Sequence, residues 1–152
     1  WRYAEYSDLG IFVMRTLLLL VVASLLSGCQ TPLPPVDPQM AWVDFSTPTP
    51  GGKLLMAERL DQQRLNDGRF FQVTPGSHEI SVRFDFEVFG GGGALMTGPA
   101  ERLCYLYIRY DHFEAGQRYT LEGRSLAFTP SARLYNVKRE IVAEDYDYNC
   151  II

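Results

Sequence analysis

The chain has 152 residues, 47 % hydrophobic and 21 % charged, a balance that fits a folded domain and excludes a disordered or fibrous chain. Its 14 basic residues are outnumbered by 18 acidic ones and form no basic run, which gives no reason to expect a nucleic-acid partner. Seven of the nine tyrosines follow residue 29, and together with many Val, Ile and Phe residues they favour strands.

Residues 1–13, WRYAEYSDLGIFV, carry Glu5 and Asp8 where an export signal wants positive charge. The expectation is that translation starts at Met14 and that 1–13 are upstream sequence or a mis-set start. Residues 14–28 then read as a signal peptide: Arg15 is followed by the apolar run Leu17–Leu26 and by the small residues Ser27 and Gly28. A run of that length is shorter than the roughly 20 helical residues that cross a bilayer. Leu26-Ser27-Gly28-Cys29 resembles the lipobox of bacterial lipoproteins. The resemblance implies cleavage before Cys29, a diacylglyceryl thioether on its sulfur and acylation of the new amino group. Two or three acyl chains would hold the protein on a membrane, because each buried methylene adds about 0.8 kcal/mol. Gln30 stands where an aspartate retains enteric lipoproteins at the inner membrane, so the resemblance points to the periplasmic face of the outer membrane. Removing 1–28 takes away Arg2 and Arg15 but also Glu5 and Asp8, so the net charge of −4 persists.

Residues 29–40 form a tether. Pro32, Pro34, Pro35 and Pro38 disfavour helix and ladder and prefer extended polyproline II, with a reach on the order of 30 Å. The remaining residues, 41–152, are expected to form one domain. Residues 41–45 make a short strand and 46–52 a loop. Residues 53–63 are ambiguous, with a strand expected for the first six. Asn66-Asp67-Gly68 is a turn signal, so a hairpin is expected between that segment and residues 69–73. Thr74-Pro75-Gly76-Ser77 has type II turn chemistry. His78, Ile80, Val82, Phe84, Phe86 and Val88 then alternate with polar residues, which is the signature of a half-buried strand.

Gly90–Gly93 open a loop to about residue 100. Residues 103–110, LCYLYIRY, read as a central strand covered on both faces. A turn over 111–116 leads to a strand at 117–124. Residues 133–143 give one or two more strands, and EDYDYNCII reads as a solvated acidic tail. The expected fold class is all-β: a single antiparallel β-sandwich of seven to eight strands, immunoglobulin-like or barrel-like, behind a signal helix and tether. VTPGSHEISVRF and FEAGQRYTL resemble PEGA-like modules of secreted and lipid-anchored bacterial proteins, although the PEGA tetrapeptide is absent. That resemblance implies a small β-sandwich used for interaction at the cell envelope.

With Cys29 lipidated, Cys104 and Cys150 are expected to pair in an oxidising periplasm, with two free thiols as the alternative. Two cysteines without a nearby histidine are too few for zinc, so no metal or other cofactor is expected. His78 reads as a packing or hydrogen-bonding histidine. Ser77 and His78 are strand neighbours that point to opposite faces and cannot make a nucleophile–base pair. The glycine run lacks the P-loop and dinucleotide spacings. It leaves Leu95 and Met96 as a candidate apolar contact for a partner or the membrane. Asp145, Asp147 and Asn149 mimic half a calcium loop but lack its glycine and closing glutamate. The expected function is non-catalytic, with no catalytic residue assigned: a membrane-anchored binding or accessory module contacting an envelope protein or the cell wall. The other reading is a carrier or sensor of a small apolar ligand.

Overall fold

A computed structural model describes residues 4–25 (side chains from Asp8 onward), 28–29, 31–89 and 100–151. The chain divides into two compact units at Pro35–Val36. The first contains helix α1, Ala4–Leu25. Within it, Asp8–Leu25 has a mean hydropathy of 2.0 and no buried residue, so it is long and apolar enough to cross a membrane. A signal sequence meets the same criteria. The helix itself continues N-terminally of Met14 through the exposed Leu9, Ile11, Phe12 and Val13, which Arg15 and Thr16 separate from the apolar run that begins at Leu17.

The second unit is built of strands: β1 (Ala41–Ser46), β2 (Gly52–Leu60), β3 (Gln63–Arg64), β4 (Phe71–Val73), β5 (Gly76–Val88), β6 (Ala100–Phe113), β7 (Arg118–Leu126), β8 (Thr129–Tyr135) and β9 (Ile141–Cys150). They form one open sheet in the order β3-β2-β5-β6-β9-β8-β7-β1-β4. The protein is therefore mostly β with one apolar helix, as expected. The hydrogen-bonded ladder, however, is continuous from edge to edge and does not fall into two separate sheets. The continuity runs through β9, whose first residues pair with β8 and whose last pair with β6.

The alternation in β5 behaves as the sequence dictates. Ile80, Val82, Phe84 and Phe86 are buried, and each contributes about 1.5–3 kcal/mol by leaving water. On β6, Cys104, Leu106 and Ile108 share that core, opposite β5 in a long antiparallel ladder. At Gly123 on β7 an added Cβ would lie 3.2 Å from the Phe84 ring and 3.3 Å from Leu55. Strand β7 thus faces β2 and β5 across the core, and glycine is what allows the close approach.

Four expectations need correction. The pairing is not all antiparallel: β1 runs parallel to β7, from Trp42↔Arg118 to Ser46↔Glu122. The long intervening chain supplies the crossover that a parallel pair requires. The hairpin expected between residues 53–63 and 69–73 is absent. Strand β2 turns instead through Asp61 and Gln62, with φ of 48° and 71°, into β3, while β4 pairs with β1. Two successive positive φ values suit a two-residue hairpin loop, and aspartate tolerates that region. Third, β6 is not covered on both faces: Tyr105 and Tyr107 are only half-buried on the outer one. Finally, the acidic tail is strand β9. By contrast Gly76, at φ 112°, meets the demand for positive φ that its turn chemistry set.

Candidate functional site

Three polar groupings lie on the β unit. The first surrounds His78 at the start of β5. Its Nδ1 is 2.6 Å from Asp61 Oδ2, and its Nε2 is 2.8 Å from the Thr74 carbonyl oxygen and 2.9 Å from the Thr74 hydroxyl. The second oxygen of Asp61 accepts the Glu79 N–H at 2.9 Å. Burial pushes the Asp61 carboxyl up, and the His78 ring and the Glu79 amide more than reverse this, holding it below its ordinary value. Both imidazole nitrogens are engaged, so neither is open to a substrate. Ser77 points away and donates to Asp111 Oδ1 at 2.7 Å. Close by, Glu79 accepts from Arg109 and from Tyr146, each at 2.8 Å.

The second grouping is centred on Glu122 of β7, which is buried. Its oxygens accept from Arg139 at 2.7 Å and from Arg124 at 2.8 Å. Arg139 also lies 4.2 Å above the Tyr135 ring. Burial pushes the Glu122 carboxyl up, but the guanidiniums of Arg139 and Arg124 outweigh it and hold the group ionised below its ordinary value. Like the first grouping, this one is internally matched and serves the fold.

The third differs. Glu58 and Arg59 on β2, Arg64 on β3, Ser81 on β5, and Tyr105 and Tyr107 on β6 line an open depression of about 330 Å³. Cross-strand pairing places Arg59, Ser81 and Tyr107 on one face, and the register shift between Ala57 and Arg59 on β2 lets the neighbouring Glu58 line the same depression. Among the described residues, the hydroxyls of Ser81, Tyr105 and Tyr107 have no hydrogen-bond partner within the protein. Arg64 Nε reaches only to 3.8 Å from Glu58, and Arg59 donates to the backbone oxygen of Gln62 at 3.1 Å. The surface formed by β2, β3, β5 and β6 therefore presents hydroxyl groups that the protein itself leaves unused, beside the rings of Tyr105 and Tyr107.

No protein-family model, curated protein or solved structure matches this chain.

The residues singled out in the sequence fall elsewhere. Cys104 and Cys150 form a disulfide between β6 and β9, where they are direct cross-strand partners. Cys29 is exposed and unpaired. Leu95 and Met96 lie outside the described residues, as do Leu26 and Ser27 of the lipobox. Asp145 accepts the Ala132 N–H at 2.7 Å, and Asp147 accepts the N–H of its neighbour Tyr148 at 2.9 Å. Among the described residues no three His, Cys, Asp or Glu side chains converge as a metal site would require. The depression was missed because LCYLYIRY reads as uniformly apolar. The signal was present: Tyr105 and Tyr107 alternate with Cys104, Leu106 and Ile108 at period two.

Proposed function

We propose that this chain is a lipid-anchored lipoprotein of the bacterial envelope, on the periplasmic face of the outer membrane, which acts by binding a partner and not by catalysis. The observation that carries the reading is the division of labour among the cysteines. Two are tied across β6 and β9, a bond that persists in oxidising compartments, and the third stands exposed just beyond an unburied apolar helix. The four prolines between Cys29 and Ala41 suit a spacer from the membrane. The engaged imidazole of His78 and the matched charges around Glu122 favour a structural role for both, which supports binding over chemistry. The β-sandwich module suggested by the PEGA-like segments accords with an interaction role. A carrier of an apolar molecule finds less support, because three depressions among the described residues of the β unit are surface-open and lined mainly by charged, polar and tyrosine residues.

Crosslinking in intact cells followed by affinity capture tests this, with Cys29→Ala beside the native protein. Expected are fatty-acid labelling of the native chain alone and one stoichiometric envelope partner that is lost or weakened in the variant. Equal labelling of both chains would sink the anchor, and no partner in either sample would sink the binding role.

A further inference from the structure

The outer face of the third grouping contains a charge arrangement that the fold does not repay. Arg59 and Arg64 are direct cross-strand partners on β2 and β3, and like charges placed opposite one another destabilise a strand pair. Other arginines of this unit sit close to a carboxylate, at 3.0 Å for Arg83 with Asp85 and 2.8 Å for Arg109 with Glu79. Here the one acid lining the depression, Glu58, is 3.8 Å from Arg64, and Arg59 donates instead to the backbone oxygen of Gln62. An anion between the two arginines would relieve the repulsion, and planar guanidiniums suit a carboxylate.

The rest of the depression narrows the ligand. Tyr105 and Tyr107 stand on the same face of β6, two residues apart, half-buried and with unused hydroxyls beside that of Ser81. Aromatic faces flanked by hydroxyls and ionic groups receive a molecule with an apolar face and a polar rim, which describes a pyranose ring. Asp147, the cross-strand partner of Tyr107 on β9, adds an acceptor on the side away from the arginines. The volume of about 330 Å³ is at the lower end for small-molecule sites.

We propose that this depression binds a carboxylate-bearing sugar, with the carboxylate between Arg59 and Arg64 and the ring over Tyr105 and Tyr107. The inference rests on the binding-module reading and gives it a ligand class, an acidic glycan of the kind found in a cell wall.

The test is calorimetric titration of the full chain in detergent micelles. The probes are the disaccharide of N-acetylglucosamine with N-acetylmuramic acid, and chitobiose, which lacks the carboxylate. The expected result is binding of the acidic disaccharide at least about tenfold tighter than chitobiose, a ratio typical of one charged hydrogen-bonded contact. Arg64→Gln, a change at a side chain 75 % exposed, should abolish that preference without lowering the thermal midpoint. The double variant Tyr105→Leu/Tyr107→Leu should weaken both sugars. Equal affinities, no binding, or an unaffected Arg64→Gln variant would overturn the proposal. Co-sedimentation with peptidoglycan sacculi separates the two readings. Wild type and Arg64→Gln sedimenting alike would overturn this site and leave the binding module standing. Failure of both to sediment, with no crosslinked partner, would overturn both.

Discussion

Glu122 is a charged residue in a place that penalises charge. Its side chain is 5 % exposed, and two guanidiniums offset the penalty from opposite oxygens. Replacing it with glutamine keeps the shape and removes the charge, leaving Arg124 and Arg139 without their anion. Glu122→Gln should cost about 1–3 kcal/mol in urea unfolding near neutral pH. The pH dependence follows from the direction of the shift. The folded carboxyl binds its proton less readily than the unfolded one, whose ordinary value is 4.5. Its contribution is therefore complete above about pH 4.5 and fades as the pH falls through the lower folded value. The gap between wild type and variant should close on acidification, and a gap that stays constant down to pH 2 would refute the ion-pair account.

At the scale of elements, β6 and β9 depend on each other. Cys104 is buried in the core strand and Cys150 is its cross-strand partner, with a sequence separation of 46. A loop of that length corresponds to about 4 kcal/mol of stabilisation by chain entropy. Cys104→Ala with Cys150→Ala should lower the unfolding free energy by roughly that amount, with β9 losing amide protection before β5 does. The individual strands were largely legible beforehand because Ile80, Val82, Phe84 and Phe86 write burial directly into period two. Their partners were not. Pairing β4 with β1, and laying β1 parallel to β7, depends on contacts far apart in sequence that no local pattern encodes. The turn at Asp61–Gln62 was hidden for a different reason: neither residue is glycine, yet both take positive φ, while Asn66-Asp67-Gly68 offered the stronger local signal. The candidate depression was hidden in the same way, since its six lining residues come from four strands and meet only once the sheet order is known.

For the molecule as a whole, the disulfide has a topological consequence. The bond between Cys104 and Cys150 turns part of the chain into a covalent ring that contains most of β6, all of β7 and β8, and β9 up to Cys150. Three exposed connections lie inside that ring, at residues 114–117, 127–128 and 136–140, and surface loops of this kind are where proteases cut. A single cut there opens the ring without releasing a fragment. Limited proteolysis should therefore give one band of full mass on a non-reducing gel and two bands after reduction. The domain would keep its mass through a first attack, and only a second cut, or a reductant, would part it.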